Sequence, residues 1–344
     1  MTEPSANNAD LMTLRFIMGA AAAAILFAGC GKTYPIDAVL PTPTPLTPSV
    51  TGSYMITTAA SQPEGLVSGP DDSIWFAEEN GNNIGALDTA AKIIEYPLPN
   101  AGSEPYGVTS GPDGNVWFTE YATTANKIGR YNPSTGNFAE FAIPTAAAQA
   151  TSIVLGSDGA LWFTESGTAR IGRITLTGTV TDFPVGGTEP LAAAEGADGA
   201  IWFTEYGSNQ IGRISTTEQV TLYNVPTAAS QPYDVVPGSD GALWFTEHAT
   251  GKLGRITTNS GSFTEVSLTG CATPGPLRQG VDGNFYIFCL GASPSILQYN
   301  PTTTKTKSFS LKSGSVPQFA IVGFDNRIYF TDSGLNEIEQ FTYQ

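Results

Sequence analysis

The chain has 344 residues, 41% of them hydrophobic and only 13% charged, with 38 glycines and 24 prolines. That is too much turn chemistry for a helical bundle and too little for a collagen-like or disordered chain. The 31 Asp and Glu outnumber the 15 Lys and Arg, and the net charge of −16 disfavours any phosphate-bearing partner such as nucleic acid. One histidine, His248, and three cysteines leave no room for a zinc cluster or a multi-disulfide scaffold.

The amino terminus reads as an address label. Phe16 to Gly29 form an uncharged apolar stretch behind Arg15, too short to span a bilayer but of signal-peptide length. Ala28 and Gly29 directly before Cys30 resemble a bacterial lipobox, so Cys30 is expected to be lipidated, with translation starting at Met12. Residues 1–30 are thus a lipoprotein signal. Residues 31–52 contain Pro35, Pro41, Pro43, Pro45 and Pro48, and read as a semi-rigid tether. The expected location is the cell envelope, on a periplasmic or extracellular face, with the lipid as the only membrane attachment. Gly31 after Cys30 points to an outer membrane if the host has one.

From residue 53 the chain repeats itself. Trp75, Trp117, Trp162, Trp202 and Trp244 recur every 40–45 residues, and Tyr286 and Tyr329 continue the step. Each follows a Gly/Asp-rich turn, as in GPDGNVWF and GSDGALWF. Seven periods of about 42 residues give roughly 294, and residues 53–344 supply 292. The expectation is one domain, an all-β seven-bladed propeller of four-stranded antiparallel blades. Blade two serves as pattern, with strands over 106–110, 115–120, 127–132 and 138–143. Ser53–Thr58 supplies the outer strand of blade seven, so that the two termini close the ring.

The register of the second and third strands sets Trp117 opposite Arg130, Phe118 opposite Gly129 and Glu120 opposite Lys127, and the other blades follow. The turn aspartates Asp72, Asp113, Asp158, Asp198, Asp240, Asp282 and Asp325 are expected to be structural. Glu78, Glu120, Glu165, Glu205, Glu247 and Asp332 form a ring of acids, read as cross-strand pairs with Lys127, Arg170, Gln210, Lys252 and Asn83.

Function then falls to positions where the repeats differ, at the start of each innermost strand. There Gln62, Glu64, Glu104, Tyr106, Glu189 and Tyr233 converge on one rim, a composition suited to a small polar or peptide-like ligand, a protein partner or a hard cation. Cys271 and Cys289 both fall in blade six, at the same mouth, and a disulfide is expected over two free thiols. His248 reads as a surface turn residue. A monomer is expected.

The repeats GPDGNVWFTE…NKIGR, GSDGALWFTE…ARIGRI, GADGAIWFTE…NQIGRI and GSDGALWFTE…GKLGRI resemble those of the streptogramin B lyase (virginiamycin B lyase) family. The resemblance covers residues 53–344 and implies a seven-bladed propeller. It also implies, for the family's enzymes, opening of a cyclic depsipeptide ester by elimination. There a histidine in a Glu-Pro-His-Gly motif takes the proton, and Mg²⁺ held by carboxylates stabilises the enolate. No blade here has histidine at that motif position. Glu104-Pro105-Tyr106-Gly107 keeps the acid; in Gln62-Pro63-Glu64-Gly65, Glu64 occupies the base position, and Glu79 matches the family's second carboxylate. Two readings follow: a non-catalytic ligand-binding or interaction module, or an Mg²⁺-dependent carbon–oxygen lyase with Glu64 as base and Glu79 as metal ligand.

Overall fold

The computed structural model describes residues 47–343; the expected signal sequence, Cys30 and nearly all of the expected tether lie outside the described residues. Seven four-stranded antiparallel sheets follow one another. In blade two the strands are Pro105–Ser110, Val116–Glu120, Lys127–Asn132 and Asn137–Ala142, within one residue of the expected bounds.

The ring closes as the repeat count requires, but with a different segment. The outer strand of blade seven is Ser49–Met55, paired antiparallel with Glu337–Thr342. It starts four residues before the expected Ser53 and stops before Ile56, whose N–H instead bonds the Asn336 carbonyl at 3.0 Å. Thr51 and Thr342 hydroxyls meet at 2.8 Å, and Ser53 donates to Glu339 at 3.0 Å, which fixes the earlier register.

The core lies between blades rather than within them. Trp117 of blade two packs on Ile153, Leu161 and Phe163 of blade three; Trp162 does the same on Ile201 and Phe203 of blade four. The expected register holds, with Trp117 opposite Arg130 and Phe118 opposite Gly129. A Cβ on Gly129 would stand 2.1 Å from the Phe118 ring, so only glycine fits there.

The turn aspartates tie this packing together. Asp198 accepts the Trp202 indole N–H at 3.0 Å with one oxygen and Arg213 Nε at 2.7 Å with the other, while the guanidinium lies 5.9 Å over the indole. Blades three and five repeat the arrangement with Asp158, Trp162, Arg173 and Asp240, Trp244, Arg255. In blade one the partner of Trp75 is Asp71, at 2.8 Å, and not Asp72. Asp72 takes the place of the turn glycine, at φ 62°.

A second repeated device joins blade to blade. Thr119 accepts the Gly107 N–H at 2.8 Å and donates to the Thr151 carbonyl of the next blade at 3.0 Å. Thr204 and Thr246 make the equivalent pairs of bonds.

Candidate functional site

Every innermost strand begins with a local irregularity that turns side chains into the channel mouth. Pro63 pairs with Glu78 and pairing resumes only at Leu66, leaving Glu64 and Gly65 out of the ladder. Tyr106 and Gly107, and Tyr233 and Asp234, are left out in the same way. In blades one to five the residue before the innermost strand is left-handed without being glycine: Gln62 (φ 53°), Glu104 (52°), Gln149 (47°), Glu189 (58°) and Gln231 (52°). Each such residue costs of order 1 kcal/mol in strain. Their carbonyls accept the N–H of the residue just past the ring acid: Glu79 at 3.0 Å, Tyr121 at 2.9 Å, Tyr206 and His248 at 3.1 Å. That bond draws a second row of side chains to the mouth.

Gln62, Glu64, Glu79, Glu104, Tyr106 and Tyr233 are brought together there. Glu64 is 2% exposed. The Gln62 side-chain amide donates to Glu64 Oε1 at 3.3 Å and also to Glu79, so the two carboxyls share one amide. Glu64 Oε2 has no partner among the described residues. Burial, and then the Glu79 charge, push the Glu64 carboxyl up to about 8 against the pull of Gln62. Burial and then Glu104 raise Glu79 as well. Tyr106 and Tyr233 are raised first by burial and then by the Glu64 charge. Glu189 is exposed on the outer lip, where its charge acts on Tyr121 and Tyr206.

Three mouth residues belong to the second row and escaped the sequence reading: Tyr121, Tyr206 and His248. The Tyr121 ring lies 5.4 Å from Tyr106. His248 is half-buried and stacked 5.4 Å from Tyr233, with Nδ1 3.1 Å from the Pro274 carbonyl. It stands in the expected turn, half-buried at the mouth rather than fully on the surface. A carbonyl only accepts, so Nδ1 carries a proton. The signal was available: the rule that singled out Glu79, one place past the ring acid, names Tyr121, Tyr206 and His248 in other blades.

Tyr106, Leu191, Tyr233, Gln318 and Phe319 close round the top of the channel. A cavity of about 520 Å³ continues along the inner strands, walled by Val67, Val108, Ile153 and Val235 and crossed by Arg278 paired with Asp234 at 2.8 Å. Cys271 and Cys289 are joined by a disulfide, Cα–Cα 5.2 Å, with Cys289 at the ring position of blade six.

The acid ring has the expected register, and Asn83 donates to Glu78 at 3.2 Å as expected, but the cationic partners turn elsewhere. Lys127, Arg170 and Lys252 pair instead with fourth-strand acids Glu140 (2.5 Å), Asp182 (3.2 Å) and Glu265 (3.2 Å). Glu78, Glu120, Glu165, Glu205 and Glu247 are fully buried, each with at least one oxygen unpartnered among the described residues. Burial is the leading cause that pushes all five up to about 7. The cations turn outward because a fourth-strand carboxylate offers them a partner without full desolvation.

Among the described residues no three His, Cys, Asp or Glu side chains stand close enough to hold one ion. Glu64 and Glu79 are already drawn to a single amide.

Fold and mouth define a seven-bladed propeller with a polar, aromatic-walled site at one end of its channel. The virginiamycin B lyase family matches residues 47–291, and the chain belongs to that family. No curated protein matches it. Among solved structures it is similar to a streptogramin B lyase at 29% identity and TM-score 0.79, covering 85% of this chain and 97% of that one. It is also similar to the virginiamycin B lyase of Staphylococcus aureus at 31% identity and TM-score 0.79, covering 85% and 99%. A catalytically inactive histidine-to-alanine variant of the latter, with quinupristin, matches equally well.

Proposed function

We propose that this propeller is a ligand-binding module of the cell envelope, anchored through lipid on Cys30, whose mouth takes a small polar or peptide-like ligand or a segment of a partner protein. One observation carries the reading. Apart from the ring acids, whose buried oxygens also lack partners among the described residues, the repeated residues are consumed in packing and blade-to-blade bonds. At the mouth, residues that depart from the repeat gather: Tyr106 lies 5.4 Å from Tyr121 and Tyr233 6.4 Å from Tyr206, and Glu64 keeps a buried oxygen without a partner among the described residues. Polar groups held this way are satisfied by water or by a ligand. The anchor is tested by palmitate labelling, which Cys30→Ala abolishes if the reading is right.

A second reading, elimination at a depsipeptide ester, is favoured by the state of Glu64. It stands at the family's base position, and a carboxyl pushed to about 8 is a competent proton acceptor near neutral pH. His248, whose Nδ1 faces the Pro274 carbonyl, is a second candidate base at the mouth. Incubation with a type B streptogramin, with and without MgCl₂, separates the readings. Recovery of the intact cyclic compound supports the binding module. A linearised product lost in Glu64→Gln establishes the lyase with Glu64 as base; loss in His248→Ala alone transfers that role to the imidazole.

A further inference from the structure

We propose that the channel below the mouth is a second ligand site, for a carboxylate with an apolar tail, its head on Arg278 and its tail against the aliphatic wall. The site lies apart from the mouth, so it stands or falls independently of what the mouth binds.

A plug separates the two. Tyr106, Leu191, Tyr233, Gln318 and Phe319 leave only about 20 Å³ between them, and the edge of Phe319 meets Tyr106 at 5.6 Å. Beyond the plug the space widens to about 520 Å³, a volume suited to a small organic ligand. It reaches Glu195, Pro237, Gln279 and Val322, the last residues of their inner strands, at the face remote from the mouth. Val67, Val108, Ile153 and Val235 make much of the wall aliphatic.

Two charges break the repeat on this wall. Arg278 stands opposite Tyr286, where the other six blades set Val67, Thr109, Val154, Ala194, Val236 or Ile321 opposite their Trp or Tyr. Asp234 stands where blades one to four have Gly65, Gly107, Ser152 and Ala192. Cohesion does not need the pair, since Thr246 already joins blades five and six through the Gly275 carbonyl at 2.9 Å.

The pair is also unequally satisfied. Asp234 Oδ2 accepts Arg278 Nη1 at 2.8 Å and the Leu277 N–H at 2.8 Å, and Oδ1 accepts the Val235 N–H at 2.8 Å. Its acceptors are taken. Among the described residues the Arg278 bonds run through Nη1 alone, to Asp234 and to the Leu277 carbonyl. Nη2 and Nε remain as donors, and a guanidinium fork fits a carboxylate. Glu195, the other acid of the lining, ends its strand one position beyond the level of Arg278, at the far rim. A ligand entering tail first passes that rim and rests its head at Arg278, with the tail toward Phe319.

Isothermal titration of the full-length protein tests this with octanoate and 1-octanol, both below the concentrations at which they aggregate. Octanoate is expected to bind about tenfold tighter than octanol, and Arg278→Gln to weaken octanoate about tenfold. Asp234→Asn removes the internal competitor for the guanidinium, so octanoate should bind about threefold tighter, a gain that loosened packing does not produce. Equal affinity for octanoate and octanol overturns the proposal, as does no octanoate binding or parental affinity in Arg278→Gln. If Arg278→Gln does not fold, Asp234→Asn decides: tighter binding upholds the site. Binding no tighter than the parent's reduces the pair to a clamp between blades and overturns it.

Discussion

Thr119 of blade two donates its hydroxyl to the main-chain carbonyl of Thr151 in blade three, 3.0 Å away, while accepting the Gly107 N–H at 2.8 Å. One small side chain thereby fills the irregularity that opens its own inner strand and fastens the next blade. Thr119→Val keeps the shape and leaves a buried N–H and a buried carbonyl unpaired, at a cost of about 1–3 kcal/mol. Urea denaturation should show the midpoint falling with the slope unchanged. A midpoint equal to the parent would remove the hydroxyl from the account of cohesion.

Asp198 joins the Trp202 indole and Arg213 through its two oxygens. Burial opposes its ionisation, but Trp202 and then Arg213 hold the carboxyl below its usual range. Asp198→Ala frees the guanidinium and strands the indole N–H, and is expected to lower stability by about 1–2 kcal/mol. The same change should leave mouth binding untouched, because the turn lies at the opposite end of the blade.

The buried acid ring makes stability fall as pH rises. Glu78, Glu120, Glu165, Glu205 and Glu247 hold their protons to about 7 in the fold, against a usual 4.5. Between those values the folded chain binds more protons than the unfolded one, so raising the pH favours unfolding. The contribution is complete below about pH 4.5 and is lost as pH climbs through about 7. Calorimetry should give a higher Tm at about pH 5 than at about pH 8, and Glu120→Gln, with no proton to lose, should narrow the gap. A Tm that rises from pH 5 to pH 8 would contradict the burial of these groups as acids.

In blade six the ring position is Cys289, bonded to Cys271 across a separation of 18 residues. A loop of that length is worth about 3 kcal/mol on closure. Cys271→Ser with Cys289→Ser should lower the Tm by several degrees under non-reducing conditions. Parent protein measured with reductant should match the variant.

Deleting residues 49–55 removes the strand that pairs with Glu337–Thr342 and exposes the edge of blade seven. The truncated ring should melt earlier and elute larger by size exclusion, as edges pair between molecules. A truncation that melts and elutes like the parent would disprove closure by this strand.

The blades were legible because packing repeats: Trp117 opposite Arg130 and Phe118 opposite Gly129 follow from strand alternation and one hairpin register. The closing strand was misplaced because nothing in Ser49–Met55 repeats, and only its pairing with the last strand fixes where it starts. Ion pairs were misassigned for a related reason. Register sets Glu120 opposite Lys127, but the choice of Lys127 between Glu120 and Glu140 depends on which carboxylate keeps some water. At the mouth, Gln62, Glu64, Glu104, Tyr106 and Tyr233 were read from their departure from the repeat, and Glu79 from the family resemblance. Tyr121, Tyr206 and His248 were passed over, since their arrival depends on bonds to the left-handed residues opposite them.

The central claim is a division of labour: shared residues hold the wheel together, and unlike residues at the mouth bind. Tm and affinity for a type B streptogramin, measured in parallel on Asp198→Ala and Glu104→Gln, test it directly. The account predicts that Asp198→Ala loses several degrees with affinity intact, and that Glu104→Gln loses affinity with Tm intact. Stability and affinity falling together in both variants would contradict it.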